Sequence, residues 1–228
     1  EILSGLVGSE MCIRDSLLNQ PDVGVTYSRS AFIDANSRPL GIYQTPRLHH
    51  ITPELILCRN PISNGSCVVL RREVLDGIRF EANLYGFTES YWFDDSFRQS
   101  EDIECWIRIA VQTQWRIEGI KDVLTLYRVN SGGLSADVDK QFASWKRVVE
   151  KTASYAPQLI ADHGQRALGY QLRYLARRAI HERKPGEGLA LACRALRAYP
   201  RLLIEEPMRT TITLAACCSS LLLPPSLI

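Results

Sequence analysis

The stretch SEDIECWIRIAV, residues 100–111, has the spacing of an amphipathic helix. Its apolar residues return every three or four positions: Ile103, Trp106, Ile107 and Ala110. Ser100 is suited to the N-cap position, and carboxylates at Glu101 and Asp102 favour the positive end of the helix dipole. The pattern therefore predicts a helix over residues 101–111 with one face against a core.

Runs typical of strands lie on both sides of this helix in the sequence. Downstream, residues 115–120 and 123–128 each predict a strand, and the NSGG sequence at 130–133 breaks the chain. Upstream, residues 66–70 (SCVVL) lack polar alternation, which is typical of a strand covered on both faces. A short helix follows in residues 71–77 and is expected to end at its glycine. The alternation of strands and helices indicates an α/β fold.

Further upstream, two runs predict a strand pair, at residues 23–27 and 31–34. The polar sequence at residues 35–39 contains Asn, Ser and Pro and predicts a turn. Residues 46–61 combine His, Pro and Arg with a short apolar patch. They predict a loop with one helical turn that lies over a site.

From Lys140 onward, almost every segment has helical periodicity. This part holds 14 Lys and Arg against 6 Asp and Glu, a net charge of +8, whereas residues 1–139 carry −6. We therefore divide the chain into an α/β region at residues 17–136 and a basic, all-α region at residues 137–228. The uncharged stretch 210–223 is shorter than the roughly 20 apolar residues that span a bilayer, so we expect a buried or interfacial helix.

Residues 1–16, EILSGLVGSEMCIRDS, form a separate segment with no usable period and no basic region typical of a signal peptide. The GLVGSEMCIRDS portion resembles the peptide encoded by translated sequencing-adapter DNA. We therefore expect residues 1–16 to be non-native, with native sequence resuming at Leu17 and continuing upstream in the gene. An ordinary N-terminal segment is the alternative.

Composition excludes several classes of protein. The seven cysteines are odd in number and include no Cys-x-x-Cys pair, which is typical of reduced thiols in a cytoplasmic protein. With only four histidines and few well-spaced thiols, we expect no zinc site built from protein side chains. Phosphate-loop, Gly-x-Ser-x-Gly and dinucleotide-binding motifs are absent from the sequence. A net charge of +2 gives no sign of nucleic-acid binding.

Asp102 is the candidate general base. On the helical wheel, Glu101, Glu104 and Arg108 lie opposite the apolar face, and the last two are spaced for an i,i+4 ion pair. Asp102 falls on the flank of the helix beside Trp106, where partial desolvation raises a carboxyl pKa into the range that suits a base. The alternative is that Glu101 and Asp102 only stabilise the helix dipole, and the spacing by itself does not decide between the two.

Four segments, in this order and spacing, resemble the second half of family-2 glycosyltransferases with the GT-A fold. They are residues 21–34, residues 63–75, residues 100–110 and residues 123–130. The third is similar to the family pattern ED-x-x-x-W-x-R-x-A, and the fourth to L-x-x-Y-R-x-H. The similarity covers about residues 17–136 and implies a partial GT-A, Rossmann-like domain.

The resemblance implies an inverting transfer of a sugar from a nucleotide-diphosphate donor to an acceptor hydroxyl, as in the assembly of surface polysaccharides or glycolipids. Asp102 matches the position of the family's base, and Glu101 is its neighbour in the motif. The Gln-x-x-Arg-Trp signature of processive synthases is absent, so we expect a non-processive enzyme.

The same resemblance supplies candidate substrate contacts. Ser63, Asn64 and Gly65 match a segment on the acceptor side, where small residues let the chain pass close to a ligand; an ordinary turn is an equally open interpretation. Arg128 is a further candidate. Trp106 is also a candidate, although packing beneath the base is the stronger interpretation for its indole.

The family binds a divalent cation, Mg²⁺ or Mn²⁺, through an Asp-x-Asp motif, and this cation stabilises the leaving diphosphate. The motif would lie just upstream of Leu17, and it is absent there. Asn130 stands where many members have a histidine that helps to hold the metal, so it is a weak candidate ligand. We therefore expect an incomplete enzyme that does not bind a nucleotide sugar productively by itself.

Two clusters of basic residues lie in the helical region. They are Arg173, Arg177, Arg178, Arg183 and Lys184, followed by Arg194, Arg197 and Arg201. One interpretation of these basic faces is that they bind an anionic membrane surface with lipid-linked acceptors. An equally open interpretation is that they are ordinary solvent-exposed surface. We expect a location in the cytoplasm, peripheral to the inner face of the plasma membrane. The alternative function is a non-catalytic helical adaptor or membrane-surface interaction protein.

Overall fold

A computed structural model of the chain describes residues 13–62, 64–129 and 137–222. The chain divides into two compact units, Glu1–Ala136 and Asp137–Ile228. The first unit combines a mixed sheet with helices, and the second consists of helices. The predicted α/β class, with a helical region after the sheet, is confirmed.

The first unit is built around one long strand. Its strands are β1 (Val23–Ile33), β2 (Pro39–Gln44), β3 (Val68–Leu70), β4 (Phe80–Ala82), β5 (Glu89–Tyr91) and β6 (Arg116–Arg128). Its helices are α1 (residues 13–19), α2 (Pro53–Cys58), α3 (Arg72–Ile78) and α4 (Glu101–Gln112). On one edge, β1 pairs antiparallel with β2 and β3, and on the other edge it pairs parallel with β6. Strands β4 and β5 form a separate hairpin.

The predicted strand pair at residues 23–27 and 31–34 is wrong, because β1 runs through both segments without a break. The two strands predicted at 115–120 and 123–128 are likewise one strand, β6. Between the partners Tyr27↔Gly119 and Arg29↔Val123, β1 advances two residues and β6 advances four, so β6 bulges at residues 120–122. Each strand is continuous because the other supplies hydrogen bonds along its length, which a local pattern does not reveal.

Two local expectations upstream of α4 also need correction. The run at residues 66–70 was expected to be a strand covered on both faces, but only Val68–Leu70 is extended, and all three residues are half-buried. In the described part of the chain, β3 pairs only with β1, so its other edge has no strand against it. Helix α3 continues one residue past Gly77, to Ile78. The helical turn expected within residues 46–61 is confirmed as α2, which packs against α4.

Helix α4 is confirmed, but its polar face is not exposed as the helical wheel indicated. Glu104 is 0% exposed and Arg108 is 3% exposed. The predicted i,i+4 pair forms inside the unit, with Arg108 Nε and Nη2 each 3.1 Å from a carboxylate oxygen of Glu104. Arg108 also donates to the carbonyl oxygens of Ile78 and Trp92, at 2.5 Å each. The pair therefore ties α4 to the two ends of the segment that contains the β4–β5 hairpin.

The second unit contains five helices in its described residues. They are α5 (Val138–Tyr155), α6 (Pro157–His181), α7 (Pro185–Ala198), α8 (Leu202–Glu205) and α9 (Pro207–Leu222). Helices α6 and α7 approach closely at two glycines: a Cβ added at Gly169 would lie 2.7 Å from Tyr199 Cβ, and one at Gly188 would lie 3.0 Å from Ala176 O. None of the described helices combines the length and the apolar content needed to cross a membrane.

Replacing Arg108 by Met is expected to destabilise the first unit by about 3–5 kcal/mol, because Glu104 would remain buried without its counter-charge. Hydrogen exchange followed by mass spectrometry should show lost protection in residues 78–92 and 101–112. Lys146→Met, at an exposed position of α5, is the matched control and should leave exchange unchanged. Unaltered protection in Arg108→Met would contradict the anchoring role.

Gly169→Ala is expected to destabilise the second unit by about 1–3 kcal/mol, because the added methyl group overlaps Tyr199 at the contact between α6 and α7. Gly186→Ala is the control in the first turn of α7, where a Cβ meets nothing within 4 Å. This control should be neutral or stabilising by up to about 1 kcal/mol. Thermal unfolding followed by circular dichroism checks whether the unfolding midpoint falls in Gly169→Ala and not in Gly186→Ala. Equal midpoints of the two variants would contradict the packing argument.

Candidate active site

Asp102 lies in the first turn of α4 and is half-buried. Burial, with a smaller contribution from the nearby Glu101 carboxylate, raises the pKa of its carboxyl group to about 6. The backbone N–H of Ile103 donates to Asp102 Oδ1 at 2.7 Å and partly opposes this rise of the pKa. Desolvation therefore outweighs the hydrogen bonds, as expected for a carboxyl group suited to accept a proton near neutral pH.

The backbone turns sharply just before Asp102. Ser100 has a φ of 63°, in the left-handed region that non-glycine residues seldom adopt. Ser100 is the N-cap residue, as predicted, but its hydroxyl makes no capping hydrogen bond; its carbonyl accepts from the N–H of Glu104. A strained residue of this kind persists only where the surroundings fix it. Here α4 is fixed four residues after Ser100 by the buried Glu104.

Trp106 does not fit the role of a substrate contact. Its side chain is 1% exposed, so its ring is not available to stack on a sugar, and the packing interpretation is the one that the structure supports. Phe93 packs edge-on against this indole, with ring centroids 6.1 Å apart, and is itself 37% exposed. Phe93 is therefore an exposed aromatic ring that contacts Trp106, and the sequence pattern alone gave it no role.

The segment expected on the acceptor side is a turn where the structure describes it; Ser63 lies outside the described residues. Asn64 accepts from the N–H of Ser66 at 3.0 Å and begins a short 3₁₀ helix at Gly65–Cys67. Its Nδ2 atom also lies 3.4 Å from the hydroxyl of Ser30 in β1. Gly65 has open space around its Cα and is exposed, so no close approach requires glycine there. The turn interpretation accounts for Asn64 and Gly65.

Arg128 lies at the end of β6 and binds the turn that joins β1 to β2. Its Nη1 atom is 3.1 Å from the carbonyl oxygens of Asp34 and Ala35 and 3.0 Å from the hydroxyl of Ser37. These contacts stabilise a local turn. Of the candidate residues, only Glu101, Asp102 and Trp106 share one element, whereas Asn64 and Arg128 serve two separate turns.

The described residues contain no group of three His, Cys, Asp or Glu side chains that could hold a metal. They therefore offer no matching set of ligands for a divalent cation. Asn130, the weak candidate ligand, lies outside the described residues. One Asp-x-Asp triplet does occur, at Asp137–Asp139, and the sequence interpretation did not consider it. Asp137 is the N-cap of α5, accepts from the N–H of Lys140 and pairs with the Lys140 ammonium, so its carboxylate is already engaged.

Sequence reasoning also missed a polar cluster between β1, β6 and the loop at residues 45–50. Oε2 of the buried Glu118 lies 2.5 Å from His49 Nδ1, and its other oxygen accepts from Arg116. The hydroxyl of the buried Tyr27 donates to the carbonyl of Arg47, and burial raises the pKa of this phenol. A Cβ added at Gly119 would lie 2.6 Å from Leu48 Cδ2 and 2.9 Å from the ring of the buried Tyr27, so a larger residue would displace these side chains. The cluster fixes the loop that precedes α2.

The arrangement around α4 offers one partly desolvated carboxyl group, a second carboxylate beside it and an exposed aromatic ring, Phe93, that packs against Trp106 of the same helix. This combination is suited to removing a proton from a bound hydroxyl group. No known protein family, curated protein or solved structure matches the chain. The chemistry of this site is therefore the ground on which a function is proposed.

The carboxyl group of Asp102 is expected to titrate with a midpoint near 6. Carbon-13 NMR of the carboxyl groups checks this value, with the resonance assigned by its loss in Asp102→Asn. Glu101→Gln should lower the midpoint, because it removes a like charge that raises the Asp102 pKa. A midpoint near 4 in the unaltered chain, or no change in Glu101→Gln, would contradict the assignment.

Proposed function

We propose that this chain carries the acceptor-side part of an inverting, non-processive glycosyltransferase with a GT-A fold. The observation that supports the proposal is the half-buried Asp102, whose pKa is raised to about 6 at the start of a rigidly held helix. The order and spacing of the segments that resemble family-2 glycosyltransferases add to it. The reaction would transfer a sugar from a nucleotide-diphosphate donor to a hydroxyl of a polysaccharide or glycolipid acceptor.

Asp102 would act as the general base. With a pKa of about 6 it is roughly nine-tenths ionised at pH 7, and its basicity is higher than that of an exposed aspartate. It accepts the proton of the acceptor hydroxyl as the oxygen attacks the anomeric carbon and the nucleotide diphosphate leaves. Burial keeps the Asp102 pKa high, and the negative charge of Glu101 adds to this effect. Glu104, Arg108 and Trp106 position the helix and touch no reacting atom.

The family also uses a divalent cation, which neutralises the charge of the leaving diphosphate. The described residues do not offer ligands that fit it, since the Asp137 carboxylate caps α5. The proposal is therefore restricted to the acceptor side, and no step is assigned to a metal. Donor binding is not assigned to any described residue.

A second candidate function is a helical adaptor or a membrane-surface interaction protein without catalysis. One observation favours it: helices α8 and α9 of the second unit expose several large apolar side chains. This candidate assigns no chemistry to Asp102. The two candidates therefore differ in what the loss of that carboxylate does.

In a version of the chain extended with the native coding sequence upstream of Leu17, Asp102→Asn is expected to lower kcat for sugar transfer by about 10²–10⁴-fold, because a general base contributes a factor of that size. Asp95→Asn, at an exposed position of the same acidic segment, is the matched control and should stay within about twofold of the parent. Transfer is measured as nucleotide release with each donor and acceptor.

Full activity of Asp102→Asn would contradict the assigned base. Absence of any transfer in the extended chain would favour the adaptor function. The unextended chain is a further control, which should show no binding of nucleotide-diphosphate sugars in calorimetry. Micromolar binding by that chain would show that upstream sequence is not needed for the donor.

A further inference from the structure

Four large apolar side chains are exposed within ten residues of the second unit. Leu203 and Ile204 of α8 are 44% and 81% exposed, and Met208 and Ile212 of α9 are 73% and 61% exposed. We call these four residues the α8–α9 apolar patch. Single exposed apolar residues are ordinary, whereas a group of neighbouring ones marks a surface that another molecule covers.

Two threonines of helix α9 face inward beside this patch, while Arg209, Thr211 and Ser219 are exposed. Thr210 and Thr213 are buried, while Met208 and Ile212 on the opposite face are exposed. The hydroxyl of Thr210 donates to the carbonyl of Leu202 at 3.0 Å and accepts from Arg173 at 2.9 Å. These buried hydrogen bonds fix which face of α9 points outward. The exposure of Met208 and Ile212 is therefore a property of the packed helix and not of a loosely placed one.

The acidic side chains of this region are engaged in hydrogen bonds and ion pairs, although Glu205 is itself exposed and also pairs with Arg166. Both oxygens of Glu205 are used: Tyr199 donates to Oε1 at 2.6 Å, and Tyr170 donates to Oε2 at 2.9 Å. Glu206 forms an ion pair with the buried Arg173. Arg201 and Arg209 remain exposed in the same stretch. The outer surface around the patch thus combines apolar side chains with positive charge.

The basic cluster predicted on α6 is a weaker candidate for an anionic surface. Arg173 is buried and paired inside the unit, so it does not belong to an exposed face. Arg178 lies 3.8 Å from Glu182, and Lys184 lies within 4.0 Å of Glu182 and Glu187. Neighbouring carboxylates therefore reduce the positive charge at Arg178 and Lys184, while Arg177 and Arg183 are exposed. The α8–α9 region combines exposed arginines with exposed apolar side chains.

We infer that the α8–α9 apolar patch binds the interface of an anionic lipid bilayer, with α9 lying in the membrane plane. Leu203, Ile204, Met208 and Ile212 enter the boundary between headgroups and acyl chains, and Arg201 and Arg209 contact lipid phosphates. An apolar face flanked by arginines fits lipid better than a second copy of this chain, because two copies would bring the same arginines together. The second unit adds 14 Lys and Arg against 8 Asp and Glu over residues 137–228, which favours an anionic surface.

Co-sedimentation of the full 228-residue chain with vesicles tests the inference. Vesicles of equal parts phosphatidylcholine and phosphatidylglycerol are expected to bind the chain, and binding should weaken at high salt. The double variant Met208→Ser with Ile212→Ser should bind at least about tenfold less. Leu18→Ser is the matched control, since Leu18 of α1 is 61% exposed, as is Ile212, and it should bind as the parent does.

A charge variant separates the two contributions. Arg201→Gln with Arg209→Gln should lose most binding to the anionic vesicles and leave binding to pure phosphatidylcholine vesicles unchanged. Circular dichroism checks that each variant is folded. If the double variant does not fold, the single variant Ile212→Ser takes its place in the vesicle assay. Equal binding of parent and patch variants would overturn the inference. The inference would also be overturned if the parent chain binds no vesicles but forms a dimer in sedimentation velocity, and if the patch variants are monomeric.

Discussion

The ion pair between Glu104 and Arg108 is the interaction on which the first unit depends. Two charges inside a protein are expensive to desolvate, so both must be fully hydrogen-bonded. Arg108 meets this need by reaching the carbonyl oxygens of Ile78 and Trp92 as well as Glu104, and its guanidinium lies 4.7 Å from the ring of Phe80. One side chain thereby joins helix α4 to the chain on both sides of the β4–β5 hairpin. The same contacts hold the start of α4, where Asp102 lies.

The position of Asp102 has a cost for folding. Its pKa is about 6 in the folded chain, above the value near 3.9 of an unfolded aspartate. Between these two values the folded state binds more protons than the unfolded state, so stability falls as the pH rises through this window. Roughly two pKa units correspond to about 3 kcal/mol at neutral pH. A protein tolerates a charge of this cost where the carboxylate serves a purpose other than packing, and proton transfer is such a purpose.

The second unit distributes polarity in an unusual way. Glu205, Glu206, Arg173 and Thr210 form hydrogen bonds between helices, while the outer surface of α8 and α9 carries the apolar side chains. The amino-acid composition of these helices does not reveal this arrangement. The same residues would give an ordinary amphipathic helix if the helix were rotated about its axis so that the apolar side chains were buried. The buried hydrogen bonds of Thr210 select the face of α9 that is available to a membrane. Membrane binding by that face does not depend on sugar transfer by the first unit.

The sequence by itself determined the elements that rest on local chemistry. Helix 101–112, the turn after Ile33 and the succession of helices beyond Lys140 follow from periodicity and turn residues, and the i,i+4 spacing of Glu104 and Arg108 predicted their pair. Only the tertiary structure decided that this pair is buried, that β1 and β6 are each one strand, that Arg128 stabilises a turn and that Trp106 is buried. The physical reason is distance along the chain: Arg108 binds a carbonyl 30 residues away and Arg128 one that is 94 residues away. Burial is a property of such contacts, and no local pattern contains them.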